Sequence, residues 1–214
     1  MILKGNKMKK IILLCLISGL LGSCATTENT LMTWPNGEKY EGQMKDGKRN
    51  GLGTNTWSNG EKYKGQWKDD KCHGQGMRSW PNGIKYEGQW KDDQMNGQGM
   101  MTWPNGEKYK GQWEDGYRNG QGTNTWSNGI KYEGQWKNDK CHGQGMMTWP
   151  NGEKYKGQWE DGYRNGQGTN TWSNGEKYEG QWKDDQMNGQ GTKYDSKGKV
   201  LQSGTWLDNE YIDR

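Results

Sequence analysis

The sequence predicts an all-β chain, an elongated single-layer antiparallel meander of stacked β-hairpin repeats. Three observations carry that expectation. Tyrosines fall at 40, 63, 86, 109, 132, 155 and 178, a constant step of 23 residues, and self-similarity at a fixed period of this length marks a repeat architecture. Within a copy a large ring, a glycine and a second large ring alternate, as at Tyr132, Gly134 and Trp136, which is the period of two of a strand. Asn-Gly recurs at 36–37, 59–60, 82–83, 105–106, 128–129, 151–152 and 174–175, and this dipeptide supports the positive φ angles of a tight hairpin turn.

Composition limits the kind of core. Hydrophobic residues make up 28% of the 214 and mean hydropathy is −1.39, too little for an ordinary two-layer interior. The 14 Trp and 11 Tyr at regular spacing supply the missing surface, since each ring buries about 150–250 Å². Phe is absent, which fits rings that keep a polar edge near water in a core one sheet thick.

The chain opens with a segment of export type. Lys4, Lys7, Lys9 and Lys10 precede an apolar run from Ile11 to Leu21, far shorter than the roughly 20 residues of a spanning helix. A cleaved signal over residues 1–23 therefore fits better than a membrane span. Leu21-Gly22-Ser23-Cys24 resembles the bacterial lipobox, which implies cleavage before Cys24, lipidation of that cysteine, and residues 24–31 as a tether. Each buried CH₂ of an acyl chain contributes about 0.8 kcal/mol, so several chains on Cys24 would anchor the protein to a membrane outside the cytoplasm, on the bacterial cell envelope. The alternative, an ordinary secretory signal with Cys24 incidental, fits less well, because cysteine is rare in this chain and falls at the cleavage point. Four of the 30 basic residues and none of the 26 acidic ones precede Cys24, leaving 26 against 26. A balanced chain offers no bulk attraction to nucleic acid, and no nucleic-acid partner is expected.

The array occupies residues 32–206, with 207–214 as a tail. Residues 32–37 form half a copy and act as an N-terminal cap; Gln202, Gly204 and Trp206 keep a degenerate strand as a C-terminal one. Copies 109–131 and 155–177 differ only at Ile130 versus Glu176, which points to recent duplication. Besides the Asn-Gly turn each copy has a second, charged turn, read as the longer of the two, for example Lys68-Asp69-Asp70-Lys71-Cys72-His73. Gly-x-Gly then opens the following strand. Strands about 4.8 Å apart give a ribbon of about 70 Å. The face opposite the rings carries a lysine before each Tyr and an alternating charge after it, Glu41, Lys64, Glu87, Lys110, Glu133, Lys156 and Glu179. Such solvated cross-copy pairs contribute only about tenths of a kcal/mol each.

The pattern Tyr-x-Gly-x-Trp-x-x-Asp/Gly-x-x-His/Asn-Gly-x-Gly at this period resembles the membrane occupation and recognition nexus (MORN) repeat, over seven copies and nearly all of the chain beyond the tether. Met44 replaces the first Trp, and Leu52 the Gln of later copies. The resemblance implies an elongated β-hairpin sheet with roles in scaffolding, dimerisation, protein contact and phospholipid headgroup binding. It implies no catalytic activity.

Candidate chemistry is sparse. Cys72-His73 and Cys141-His142 pair a thiol with an imidazole and invite a nucleophile or a metal ligand. Across the copies, however, His73 and His142 align with Asn50, Asn96, Asn119, Asn165 and Asn188, and the cysteines with Arg49, Met95, Arg118, Arg164 and Met187. The histidines are thus expected as turn residues tolerant of a left-handed conformation. Two ligands per site would also leave a zinc shell incomplete. The acidic turns Asp69-Asp70, Asp92-Asp93, Asp139 and Asp184-Asp185 lack the ligand spacing of calcium loops. Gly-x-Gly ahead of a strand is no phosphate loop. No catalytic residue, metal site or cofactor is expected.

What remains is the aromatic face, with Tyr40, Trp67, Tyr86, Trp90, Tyr109, Trp113, Tyr132, Trp136, Tyr155, Trp159, Tyr178 and Trp182 as repeat core and as a contact surface. Two functions follow as expectations. One is a membrane-anchored, non-catalytic scaffold that binds a protein partner or itself; the other is a module for phospholipid headgroups or cell-wall glycan through that face.

Overall fold

The computed structural model describes residues 9–12 and 29–213, with side chains over the second range. Cys24, together with residues 13–28, lies outside the described residues. Among the described residues every regular element is a strand, and the chain divides into two units, residues 1–104 and 105–214.

The first unit contains β1 (Lys9–Ile12), β2 (Asn29–Thr33), β3 (Lys39–Lys45), β4 (Lys48–Thr56), β5 (Lys62–Lys68), β6 (Lys71–Ser79), β7 (Lys85–Lys91) and β8 (Gln94–Thr102). Each strand pairs antiparallel with the next in sequence. The second unit repeats the scheme with β9 (Lys108–Glu114), β10 (Tyr117–Thr125), β11 (Lys131–Lys137), β12 (Lys140–Thr148), β13 (Lys154–Glu160), β14 (Tyr163–Thr171), β15 (Lys177–Lys183), β16 (Gln186–Tyr194), β17 (Val200–Leu207) and β18 (Glu210–Tyr211). Each unit is thus a meander of consecutive hairpins. Strand β1, inside the segment read as a signal, runs against β2 with Lys9 opposite Thr33.

The core of each unit is built from glycine and tyrosine together. Register places Gly53 opposite Gly42 on one side and Gly65 on the other, and the series continues through Gly76, Gly88 and Gly99. A glycine ladder therefore crosses the sheet at right angles to the strands. In the second unit the same ladder runs from Gly111 to Gly204. Each tyrosine ring lies against the glycine pair of its own copy: a Cβ on Gly168 would come within 2.6 Å of Tyr155 Cε2. The tyrosine hydroxyl then donates to the carbonyl three residues on, as Tyr155 does to Gln158 O at 3.0 Å.

Tryptophans fill the space between tyrosines. Trp67 stands edge-on to Tyr63 at 5.0 Å and to Tyr40 at 5.7 Å, at 85° and 88°, the T-shaped geometry that aromatic quadrupoles favour. Its Nε1 donates to Gly53 O of the preceding copy at 3.1 Å, and Trp90, Trp136, Trp159, Trp182 and Trp206 repeat the bond. Copies are thereby joined by rings and by a hydrogen bond as well as by the ladder, which is how nearest-neighbour stability arises in a repeat array.

The two turns differ from the sequence expectation in a complementary way. The charged turn is the tight one: Lys68 pairs with Lys71, and Asp69 and Asp70 at φ 48° and 68° form a two-residue hairpin with both central residues left-handed. Asp and Asn tolerate that region through local hydrogen bonding. At the Asn-Gly turn only the glycine is left-handed, Gly60 at φ 86°. There Gly60 N donates to Trp57 O at 2.9 Å, Trp57 N to Glu61 O at 2.9 Å, and Glu61 N to Asn59 Oδ1 at 3.0 Å. Asparagine closes this wider loop with its side chain.

As a consequence Cys72 and His73 lie within β6, and Cys141 and His142 within β12. They are strand residues, which corrects the expectation of a left-handed turn position. The left-handed residue is the following glycine, Gly74 or Gly143, at φ 58°. Gly-x-Gly likewise sits in mid-strand. Its first glycine belongs to a β-bulge, where the register shifts between Gly65 and Gln66, and its second lies under the tyrosine. Gln66 Oε1 accepts from Gln75 N at 2.9 Å inside the bulge, so the irregular backbone keeps its bond.

Candidate functional site

The predicted aromatic residues are packed among themselves. Tyr40, Tyr86, Tyr109, Tyr132, Tyr155 and Tyr178 have no exposed surface, and Trp67, Trp90, Trp113, Trp136, Trp159 and Trp182 retain 3–5%. Rings this deeply buried hold the sheet together and present no face on which a ligand could stack.

Beside the rings runs a polar network that the spacing alone did not reveal. Arg164 Cζ lies 4.4 Å from the Trp182 ring centroid, within cation–π range. Its Nη1 donates to Asn170 Oδ1 at 3.4 Å, and its Nε and backbone N each donate to Asp185 Oδ1 at 2.9 Å. Asn170, fully buried, donates from Nδ2 to Glu153 Oε1 at 3.0 Å. The same chain of contacts links Glu107, Asn124, Arg118 and Asp139, and Glu38, Asn55, Arg49 and Asp70. Three of the acidic turns are therefore engaged with arginine. No cluster of three or more His, Cys, Asp or Glu with metal-binding geometry occurs among the described residues.

Cys72 and Cys141 occupy the arginine position of their copies, buried and unbridged. Burial pushes both thiols up to about 12, away from the thiolate that a nucleophile or a metal ligand requires. His73 and His142 bury Nδ1 without a hydrogen-bond partner among the described residues. The second row of tryptophans, at the Asn-Gly turns, is half-buried: Trp57 and Trp80 flank the Arg78 guanidinium at 4.9 and 5.5 Å.

The accessible relief lies on the opposite face. In the second unit a trough of about 830 Å³ follows the glycine ladder, floored by Gly157, Gly168, Gly180 and Gly191. Gln144, Gln167 and Gln190 stand on one side, and Lys156, Thr169, Glu179 and Thr192 on the other. A trough of about 630 Å³ repeats these positions in the first unit, where Leu52 and Met77 make it more apolar. The trough exists because the glycines along its floor add no side chain to it.

The repeat pattern decides the family. Consecutive matches to the MORN repeat model cover residues 40–62, 63–85, 86–108, 109–131, 132–154, 155–177 and 178–200. The chain belongs to the MORN repeat family. Among curated proteins nothing matches it. Solved structures that this MORN protein resembles include the TCP domain of Drosophila melanogaster SAS-4 in complex with a proline-rich motif of Ana2, at 12% identity and TM-score 0.44, covering 79% of this chain and 99% of that one. The G-box domain of the microcephaly protein CPAP matches at 13% identity and TM-score 0.45, covering 82% and 98%. The E1021V mutant of the TCP10 domain of Danio rerio CPAP matches at 12% identity and TM-score 0.34, covering 87% and 93%. MORN repeats form a repeat interaction module.

Proposed function

We propose that this chain is a non-catalytic interaction scaffold of the bacterial envelope, held to a membrane by lipid on Cys24, with protein as its partner. The observation that supports it is how exposure divides the positions. Those nearly constant among copies, the tyrosine, the strand tryptophan and the paired glycines, form the packed core. The exposed face includes positions that differ from copy to copy, as at Leu52 and Gln75 or at Glu41, Lys64 and Glu87, beside ones that are kept, such as Lys39, Lys62 and Lys85. A scaffold needs this combination of uniform frame and individual surface. Crosslinking in the native cell followed by identification of partners tests the reading. One or a few proteins recovered in constant ratio support it, and recovery of bulk envelope protein alone counts against it. Cys24→Ser tests the anchor separately: the substituted protein should leave the membrane fraction.

Self-association is the second reading, favoured by the C-terminal strand. Strand β18 pairs with β17 at Trp206 and Leu207, and Ile212 N, Asp213 Oδ2 and the Tyr211 hydroxyl extend the cover to Thr205 and Ser203, leaving the start of the strand open, where Val200 and Leu201 are 51% and 47% exposed. Uncovered strand edges pair readily with another chain. Sedimentation across a concentration series, with Leu201→Lys as the comparison, distinguishes a dimer from a monomer. Phospholipid headgroups and stacking of glycan on the aromatic face are the weaker alternative, because the rings are buried.

A further inference from the structure

We propose that the trough over β12–β17 binds a neutral β-1,4-linked glycan laid across the strands. This ligand is independent of the protein partner proposed above, and its site lies on the face away from the buried rings. Gln144, Gln167 and Gln190 stand on β12, β14 and β16, two strands apart, so their spacing along the trough is roughly 9.4–9.8 Å. That interval is close to the disaccharide repeat of an extended β-1,4 chain, which turns each successive sugar over. One glutamine would thus meet the same edge of every second sugar.

The chemistry of the walls fits the same ligand. The carboxamides of Gln144 and Gln167 are exposed and make no hydrogen bond among the described residues, while Gln190 Nε2 donates to Thr205 Oγ1 at 3.0 Å. A carboxamide offers a donor and an acceptor together, which matches hydroxyl groups that do both. On the facing wall Lys156 is followed two strands later by Glu179, with Thr169 between them. A polyanion would meet the carboxylate, and a polycation the ammonium; a neutral polyhydroxyl chain meets neither penalty. The floor glycines pair across the ladder and leave no strand edge to which a peptide backbone could add.

The test is titration calorimetry of the full chain with chitohexaose and, separately, cellohexaose, against the variant carrying Gln144→Ala, Gln167→Ala and Gln190→Ala. These side chains are exposed, so the variant should keep its circular dichroism and melting temperature. Binding of at least one hexasaccharide, weakened tenfold or more in the variant and weaker still for the matching disaccharide, is the expected result. The two sugars tell an N-acetylated glycan from a plain glucan. No binding of either hexasaccharide, or binding that the three substitutions leave unchanged, would overturn the proposal. An extended peptide bound in place of both sugars, and lost in the variant, would also overturn it. Partner recovery by crosslinking with the same variant keeps this outcome separate from that of the scaffold reading.

Discussion

Asn170 is wholly buried and donates to Glu153 Oε1 at 3.0 Å across 17 residues of sequence. The same two positions are filled as matched sets throughout the array. Glu38 meets Asn55, Glu107 meets Asn124, Glu61 pairs with Arg78 and Glu176 with Lys193. Where the first position is Ile84 or Ile130, the second is Met101 or Met147. The copies thus carry either a polar pair or an apolar pair, and no mixture. The reason is the cost of a buried polar group without a partner.

Glu153→Ile should therefore destabilise the second unit by about 1–3 kcal/mol, the range for a buried group left unsatisfied. Asn170→Met alone should do the same by stranding Glu153, while Arg164 keeps its bonds to Asp185. Combined, Glu153→Ile and Asn170→Met should recover much of the loss. Urea unfolding of the two single variants and the double, arranged as a cycle, reads the coupling directly. Additive losses would show that the pairing of residue types has no energetic basis.

Gly168→Ala and Gly152→Ala separate two uses of glycine. Gly152 is left-handed at φ 89° with nothing near a Cβ, so alanine there should cost about 1–3 kcal/mol of backbone strain. At Gly168 the obstacle is Tyr155, whose hydroxyl and ring carbons occupy the Cβ position. Overpacking of this kind costs about 1–3 kcal/mol or more, and here it also lifts the ring off its neighbours. Tyr155→Phe should not rescue Gly168→Ala, since ring carbons remain in the way. Melting temperatures of the three single variants and of Tyr155→Phe with Gly168→Ala check this, and rescue by the phenylalanine would locate the conflict at the hydroxyl alone.

Much of this core was legible in the spacing. A ring, a glycine and a ring at a period of two, repeated without insertion, can only be one face of a regular sheet, and Tyr155, Gly157 and Trp159 are found there. The turns are harder to read, because Asn151-Gly152 is the familiar hairpin signal, yet a preceding proline favours a type I turn with one left-handed glycine. Asp184-Asp185 carries no glycine and still adopts two left-handed residues, because the strands on either side demand that twist. The Arg164 and Asn170 network was hidden for another reason. Its parts lie 6, 17 and 21 residues apart, across three copies, and only comparing which copies hold Glu and which hold Ile exposes it.

The tight turns also join neighbouring copies. Asp185 Oδ1 accepts from Arg164 N at 2.9 Å, and Asp185 N donates back to Arg164 O at 3.1 Å. Asn209 does the same for Met187, whereas Gly162 gives Cys141 only the backbone half. Asp185→Asn should accordingly be close to neutral, because the acceptor oxygen survives. Asp185→Gly keeps the left-handed turn and removes the acceptor, so it should cost about 0.5–1.5 kcal/mol. Equal unfolding midpoints for the glycine variant and the parent would show that the side-chain link adds nothing.

Alkaline pH should unfold the protein through groups that the fold keeps neutral. Burial pushes the phenols of Tyr40 and Tyr178 up to about 12 from an ordinary 10.0 and raises those of Tyr63, Tyr109, Tyr132 and Tyr155 in the same direction. The thiols of Cys72 and Cys141 rise from 9.0 to about 12. A group whose folded pKa lies above its unfolded value contributes stability that is whole below the unfolded pKa and is lost as pH climbs through the folded one. The decline should begin near 9.0 with the thiols, steepen near 10.0 with the phenols, and continue to about 12. Urea midpoints across that range, read with phenolate absorbance, provide the measurement. Phenolate should appear together with loss of the sheet. Ionisation near 10.0 with the sheet intact would mean that the rings are open to water, against the packing of Tyr155 on Gly157 and Gly168.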